Sequence, residues 1–334
     1  MIDRALQLIA DLERVPEVLR GHAEAARQPV PLPAAIGTSP QRIVLTGLGS
    51  SRFAALVVAP ALVAAGLEVV VEHASTSRPA PLDPATLLVP ISSSGRTPET
   101  VAAAERGRRS GAGVLVITNQ PVSPLGEAAD AVLSLDAGVE LSGIASVTYS
   151  ATVAALCRVA ASIGVELDAR GLLEDAARNV DAVLVGRDAW SGIAADLLQS
   201  GAAIHFLADA SALGAAEQAA LLFREGPRID ADVTDAGDWL HVGLYTALPR
   251  YRAVLLSGTT YDRELVDVIH GRGGSVVALG AAGPDTADLR IDVPGGAPGA
   301  LQAAFAEPVA LSLIAAELWT RVHATDRHDP DAPA

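Results

Sequence analysis

Lysine is absent from this 334-residue sequence, and its 24 basic residues are all arginines. Without a lysine amine, the chain cannot form a side-chain Schiff base with a carbonyl substrate or with pyridoxal phosphate. Acidic residues number 39 and give a formal net charge of −15. Because nucleic-acid affinity rests on neutralising phosphates with basic side chains, we expect no nucleic-acid partner.

Cysteine, ligand-spaced histidine and long apolar runs are also scarce. The single cysteine, Cys157, excludes a disulfide framework and is expected to be a small buried hydrophobe. The seven histidines are scattered without metal-ligand spacing, so we expect no metal and no cofactor. Charges interrupt the helical pattern of residues 1–20, and no apolar run reaches the ~20 residues of a membrane span. We therefore expect a cytoplasmic protein with no membrane partner.

Half of the residues are apolar, and short strand-like runs alternate with Ala- and Leu-rich helical stretches. This alternation predicts an α/β fold with parallel sheets that helices cover on both faces. The predicted strands are 43–48, 67–71, 87–91, 114–118 and 131–135 in the first half, and 203–207, 253–256, 275–279 and 290–293 in the second.

The two halves resemble copies of one unit. Residues 43–46, 88–92 and 114–117 recur as 204–207, 253–257 and 276–279, at offsets of 161, 165 and 162 residues. We predict a leading helix and linker over residues 1–40, a first lobe over 41–165, a helical connector over 166–200, a second lobe over 201–324 and a tail over 325–334.

Two serine-rich turns in the first half each follow a strand and precede a helix. The first is Gly47-Leu-Gly-Ser-Ser-Arg52, and the second is Ser92-Ser-Ser-Gly-Arg-Thr97 followed by Pro98. Small residues, hydroxyl donors and a helix amino terminus together favour a bound phosphate. For the first turn, a dinucleotide site is disfavoured because Arg52 occupies the third glycine position of that fingerprint. For the second, the alternative is a helix cap, for which one hydroxyl would suffice.

These turns, together with Gly138-Val-Glu140 and Ile144-Ala-Ser146, resemble the phosphosugar-binding signatures of the sugar isomerase (SIS) domain family. The most similar pattern is the double-SIS isomerase module of glucosamine-6-phosphate synthase and of stand-alone relatives. The resemblance spans residues 42–322 and implies two lobes, each a flavodoxin-like αβα sandwich. It also implies that a sugar phosphate is held by Ser50, Ser92, Ser94 and Thr97, that Ser51 and Ser93 support the turns, and that Ser146 contacts sugar hydroxyls.

The resemblance also implies two catalytic residues in the second lobe. Glu225 and His241 are separated by sixteen residues, and Gly237 precedes the histidine by four, as in the family. From composition alone, Glu225 is a solvated helix end and His241 a polar loop residue. By resemblance, His241 opens the sugar ring and Glu225 removes the carbon-2 proton. The histidine would come from a neighbouring subunit, which implies a homodimer with a shared site.

The sequence departs from the synthase at its two active-site lysines. Leu222 stands at one position, and the segment Arg321–His328 supplies no lysine at the other. The chain also lacks a glutamine-hydrolysing segment, so we expect it not to be a glutamine-dependent aminotransferase.

Three functions remain open. The first is an isomerase or deaminase of glucosamine 6-phosphate or N-acetylglucosamine 6-phosphate, acting by carbon-2 proton abstraction. The second is a lyase that uses the same base but expels the carbon-3 hydroxyl of an N-acetylhexosamine 6-phosphate. The third is a sensor that binds a sugar phosphate without turnover.

Overall fold

The structure is a computed structural model that describes residues 4–36, 39–199, 203–280, 283–295 and 299–325. It contains two compact units. The amino-terminal unit comprises Arg14–Glu140 and Ala145–Arg178, and the carboxyl-terminal unit comprises Met1–Glu13, Leu141–Ile144 and Asn179–Ala334. The predicted tail, residues 325–334, lies outside the described residues except for Thr325, which ends the last helix.

The amino-terminal unit is built on a five-stranded parallel sheet with strand order β2-β1-β3-β4-β5. Its central strands are continuous apolar runs that are buried over nearly their whole length, as expected of a sheet covered on both faces. The strands are β1 (Arg42–Gly47), β2 (Glu68–His73), β3 (Thr86–Pro90), β4 (Gly113–Thr118) and β5 (Ala131–Ser134).

The carboxyl-terminal unit has a second five-stranded parallel sheet, with order β10-β9-β8-β6-β7. Read from the other edge, this is the same order as in the first sheet, which confirms the predicted repetition of fold. Its strands are β6 (Ala203–Ala208), β7 (Asp230–Asp235), β8 (Arg252–Leu256), β9 (Ser275–Leu279) and β10 (Leu289–Ile291). β7 is not among the predicted strands, because this edge strand carries three aspartates and no apolar run.

Helices cover the two sheets. They are α1 (Arg4–Ala25), α2 (Ser50–Ala64), α3 (Pro98–Arg109), α4 (Pro124–Glu127), α5 (Val147–Ser162), α6 (Ala169–Gly186), α7 (Ser191–Leu198), α8 (Leu213–Glu225), α9 (Ala236–His241), α10 (Asp262–Gly271) and α11 (Ala303–Thr325). Three short 3-10 helices cover Arg187–Ala189, Ala210–Ala212 and Gly243–Thr246.

Two of the apolar helices owe their composition to burial. Within α11, residues 303–322 are long and apolar enough to cross a membrane, but 89% of that stretch is buried inside the protein, as in a core helix. Cys157 lies in α5 and is fully buried, and burial raises the pKa of its thiol to about 12. The expectation that Cys157 is a buried hydrophobe rather than a nucleophile is confirmed.

Candidate phosphosugar site

The two serine turns of the amino-terminal unit lie beside each other at one edge of its sheet. They follow the carboxyl ends of β1 and β3, which are hydrogen-bonded neighbours. From β1 the chain proceeds to β2 on one side, and from β3 it proceeds to β4 on the other, so the order of the strands reverses between them. In open parallel sheets, ligands bind outside the carboxyl ends of the strands at this kind of reversal.

Residues 92–97, which we call the serine cup, form a compact turn. The Ser92 hydroxyl lies 3.0 Å from the Thr97 hydroxyl and 3.5 Å from that of Ser94. Among the described residues, the amides of Ser93 and Ser94 have no hydrogen-bond acceptor. Thr97 precedes the first residue of α3, yet its hydroxyl makes no capping bond to that helix. The cup therefore presents unused amide and hydroxyl donors beside a helix amino terminus, which is the arrangement that an anion requires.

Gly95 fixes the shape of the cup. Its φ of +62° is a conformation that favours glycine. A Cβ atom at this position would lie 2.2 Å from the Ser123 hydroxyl oxygen. The Gly95 carbonyl also accepts from the Leu125 amide at 3.0 Å, which ties the cup to α4. No larger side chain fits at position 95 without moving the loop that follows β4.

The turn after β1 adds a second group of donors. Ser50 is the first residue of α2, and the Ser51 amide closes the turn by donating to the Leu48 carbonyl at 3.2 Å. The Ser50 amide belongs to the first turn of α2, where amides lack an intrahelical acceptor. The Arg52 Nε is buried and has no hydrogen-bond partner in the described part of the chain. This turn therefore supplies an available amide next to the serine cup.

Ser146 is hydrogen-bonded to Glu140, a residue that was not among the predicted site residues. Glu140 accepts from the Ser146 amide at 2.9 Å and from the Ser146 hydroxyl at 3.2 Å. The same carboxylate accepts from the amide and hydroxyl of Thr148, each at 2.7 Å. Glu140 thus supplies the negative charge at the start of α5. A ligand that bonds to the Ser146 hydroxyl would compete with this carboxylate.

The carboxyl-terminal unit contains the equivalent turn, but its donors are already bonded. The Ser257 amide donates to the Leu279 carbonyl in β9, just as the Ser92 amide donates to the Ile117 carbonyl in β4. The Asp262 carboxylate then accepts from the Gly258 amide at 2.6 Å and the Thr259 amide at 3.1 Å. Asp262 lies five residues after Ser257, as Thr97 lies five residues after Ser92. The second turn is therefore filled by its own carboxylate.

Glu225 is the last residue of α8, and its side chain is exposed. Partial desolvation by the surrounding protein raises the pKa of its carboxyl, and the neighbouring Arg224 guanidinium opposes this shift. Within the described residues, the Glu225 carboxylate has no hydrogen-bond or ion-pair partner. An unpartnered carboxylate with a raised pKa has the properties of a general base.

His241 ends the short helix α9 instead of lying in a loop, and it is exposed. α9 packs through Trp239 on the sheet face of Leu207, whereas α8 packs through Phe223 on Phe206, with ring centroids 5.2 Å apart. Since Phe206 and Leu207 are consecutive in β6, they point to opposite faces of the sheet. Glu225 and His241 therefore lie on helices that cover opposite faces of the second sheet, and no hydrogen bond joins their side chains in the part of the chain that the structure describes.

Within the described residues, no group of three or more His, Cys, Asp or Glu side chains could hold a metal ion. The serine cup consists of hydroxyls and amides, which suit an oxyanion rather than a cation.

The sequence model of the SIS domain family matches residues 38–163. Residues 38–163 are a SIS domain. This chain is 30% identical over 258 residues to the isomerizing glutamine–fructose-6-phosphate aminotransferase of Pyrococcus horikoshii. The match covers 72% of this chain and 42% of that protein. It thus spans less than half the length of that relative.

Solved structures share the two-lobe SIS fold. Tagatose-6-phosphate ketose/aldose isomerase from Escherichia coli superposes with a TM-score of 0.74 at 19% identity, covering 95% of this chain and 93% of that one. Glucosamine-6-phosphate deaminase from Thermotoga maritima gives a TM-score of 0.68 at 14% identity, covering 95% and 94%. At these identities the likeness shows the fold, and the predicted fold class is confirmed.

Proposed function

We propose that the chain is an enzyme that binds an amino-sugar 6-phosphate and acts on it by removing the carbon-2 proton. The observation that carries this proposal is the serine cup, whose unused amides lie at the strand reversal of a SIS domain. A phosphate dianion accepts from several donors at once, and charge-assisted hydrogen bonds of this kind are the strong ones. In this proposal Ser50, Ser92, Ser94 and Thr97 hold the phosphate, Ser51 and Ser93 support the turns, and Ser146 contacts the sugar.

Glu225 acts as the base in this mechanism. After ring opening exposes the carbonyl at carbon 1, the carboxylate takes the carbon-2 proton and leaves an enolamine. Return of a proton to carbon 1 gives an imine at carbon 2, which water hydrolyses to the ketose and ammonia. The raised pKa of the Glu225 carboxyl supports this role, because a base works best with a pKa near the operating pH.

His241 opens the ring by moving a proton to the ring oxygen, and we propose that it is supplied by a second copy of the chain. Two observations support a homodimer with shared sites. α8 and α9 cover opposite faces of one sheet, so a single unit does not pair Glu225 with its own His241. In addition, His241 is followed by exposed apolar side chains that suit an interface, namely Val242 (70% exposed), Tyr245 (76%) and Leu248 (67%).

The test of catalysis uses glucosamine 6-phosphate and its N-acetyl form, both carrying deuterium at carbon 2. We expect loss of deuterium to solvent in wild type and none in Glu225→Gln, whose affinity for the ligand stays within about tenfold, or 1.4 kcal/mol. The matched control is Glu217→Gln on the same helix, which should keep full exchange. Exchange at the wild-type rate in Glu225→Gln would remove the base assignment.

The products separate the three candidate activities. Ammonia and a ketose 6-phosphate from the free amine identify the isomerase or deaminase, because moving the carbonyl to carbon 2 converts the amine there to an imine that water hydrolyses. An unsaturated sugar from the N-acetyl substrate identifies a lyase. Tight binding with no loss of deuterium from either substrate identifies a sensor and contradicts an enzymatic role.

A further inference from the structure

The amino-terminal unit contains a cavity of about 650 Å³ that the proposed reaction does not use. It lies between the second half of α1, the loop after β5 and the middle of α5. Its charged lining consists of Arg14, Arg20, Arg158, Glu17 and Asp136. In a chain with a net charge of −15, three arginines around one cavity are an unusual concentration of positive charge. We call this space the arginine cavity.

Arg158 is the central cation of the arginine cavity. Its guanidinium is half-buried, and burial lowers its pKa, with only partial compensation from Asp136. One terminal nitrogen lies 3.3 Å from His22 Nδ1, and the other donates to the Ala25 carbonyl at 3.4 Å. The Arg158 Nε is buried and has no partner in the described part of the chain. A desolvated guanidinium is stabilised by an anion that accepts from the second N–H group of each terminal nitrogen.

His22 holds Arg158 in this position. The buried His22 ring lies with Nε2 2.9 Å from the Leu135 carbonyl, which can only accept, so Nε2 carries the proton. The other ring nitrogen, Nδ1, is then free to accept from Arg158. Protonation of Nδ1 would remove this acceptor, and burial lowers the pKa of His22, which favours the neutral ring. His22 therefore orients the guanidinium and adds no charge to the arginine cavity.

Arg14 holds the opposite wall open. Its guanidinium donates to the carbonyls of Val139 at 2.7 Å and Ala137 at 2.5 Å, which fixes the loop after β5. Gly138 permits this contact, because a Cβ there would lie 2.5 Å from an Arg14 nitrogen. Both walls are thus fixed by hydrogen bonds before any ligand binds, which lowers the entropic cost of binding.

We propose that the arginine cavity is a second ligand site, separate from the serine cup, for a phosphorylated and hydroxylated metabolite of sugar-phosphate size. Arg158 and Arg20 would receive the phosphate. Glu17 and Asp136 would accept hydrogen bonds from hydroxyls, which a bare inorganic anion does not offer. The volume falls within the 300–1,000 Å³ typical of sites for small molecules. The position of the cavity within one unit makes this inference independent of the proposed catalysis.

Gly21 offers a way to block the arginine cavity without removing any of its contacts. It lies inside α1 and lines the cavity, and a Cβ added there meets no atom within 4 Å. Gly21→Leu would fill part of the space. Because leucine favours helix more than glycine, the variant should unfold at a midpoint ~2–4 °C higher. Gly271→Leu, at another open helical glycine in the carboxyl-terminal unit, is the matched control.

The test measures binding of glucose 6-phosphate by calorimetry in chains whose serine cup is closed by Thr97→Asp. We expect this background to retain one site per chain, and the Gly271→Leu control to keep it. Adding Gly21→Leu or Arg158→Gln should weaken that site at least tenfold. If Arg158→Gln fails to fold, the stabilised Gly21→Leu variant decides the result.

Two outcomes would overturn the proposal. One is the absence of binding in the Thr97→Asp background, which would leave the serine cup as the single site. The other is unchanged affinity in the Thr97→Asp/Gly21→Leu chain, which would place the remaining site elsewhere. Inorganic phosphate is the second probe, and binding equal to that of glucose 6-phosphate would exclude any contribution from the hydroxyls.

Discussion

Position 97 and position 262 are equivalent in the two units, but they carry different side chains. In the carboxyl-terminal unit, the Asp262 carboxylate accepts from two backbone amides of its turn. In the amino-terminal unit, Thr97 leaves the corresponding amides unused and bonds to the Ser92 hydroxyl. Replacing Thr97 by aspartate should therefore reproduce the filled turn and exclude the phosphate of the ligand.

The size of this effect follows from the distances. The new carboxylate would lie about 4 Å from a bound phosphate, where two like unit charges repel by about 4 kcal/mol at an effective dielectric constant of 20. The cup is open at Ser94, which is exposed, so solvent screening reduces the repulsion. Taking half of it, about 2 kcal/mol, predicts an affinity for glucosamine 6-phosphate at least ~30-fold weaker. Isothermal titration calorimetry at fixed ionic strength measures this change.

The matched control is Thr97→Asn, which has the shape of aspartate without its charge. We expect Thr97→Asn to lose less than tenfold in affinity, because repulsion and not size closes the cup. Thr97→Asn should unfold within about 1 kcal/mol of wild type, and Thr97→Asp should be more stable by about 1–3 kcal/mol, because its carboxylate accepts from two unused amides as Asp262 does. Binding of glucosamine 6-phosphate to Thr97→Asp within threefold of the Thr97 chain, when both also carry Gly21→Leu to block the arginine cavity, would refute the assignment of the phosphate site.

Three further predictions concern stability. Burial raises the pKa of the Glu307 carboxyl to about 8, so between pH 4.5 and pH 8 it stays protonated in the folded chain but ionises in the unfolded chain, and rising pH favours unfolding. Between pH 6 and pH 9, wild type should lose up to ~3 kcal/mol of unfolding free energy that Glu307→Gln retains, measured by urea titration. An equal loss in both chains would contradict the burial argument. Gly95→Ala should destabilise the chain by about 1–3 kcal/mol through its left-handed backbone and the contact with Ser123, and should also remove the part of the ligand-induced stabilisation that comes from the serine cup. Asp262→Asn should cost about 1–3 kcal/mol because two amides lose a charged acceptor, with no change in sugar-phosphate affinity; a tenfold change in affinity would show that the second turn takes part in binding.

The sequence predicted most of the fold because its strands are apolar runs of the length that buried parallel strands require. All nine predicted strands are present, with ends shifted by at most two residues. The missing tenth, β7, lies at the edge of its sheet, where polar side chains meet solvent and no apolar signal arises. His241 was expected in a loop for a related reason, since a six-residue helix has too few turns to show periodicity.

The candidate site was less accessible from sequence. The serine-turn pattern located the serine cup. Whether the amides of such a turn are free to bind an anion, however, depends on whether a side chain of the protein already accepts from them. Glu140 at the start of α5 and Asp262 in the second turn act through hydrogen bonds that residue type alone does not reveal. The equal five-residue spacing of Thr97 and Asp262 from their serines was the available signal. It becomes readable once the two turns are known to be structurally equivalent.

Unused amides in the serine cup also have an energetic consequence. A polar group without a partner is less stable than one that is hydrogen-bonded, and Asp262 relieves this cost in the second unit. In the amino-terminal unit the Ser93 and Ser94 amides of the serine cup have no acceptor among the described residues. An anion that binds in the cup should therefore stabilise this unit by supplying the missing acceptor, in addition to its other contacts with the protein. At a concentration one hundred times Kd, a single bound ligand adds about 2.7 kcal/mol to the free energy of unfolding. Hydrogen exchange should localise this gain to the amides of residues 92–97. Protection confined to the turn at Ser257 would instead show that the phosphate binds in the carboxyl-terminal unit, against the assignment to the serine cup.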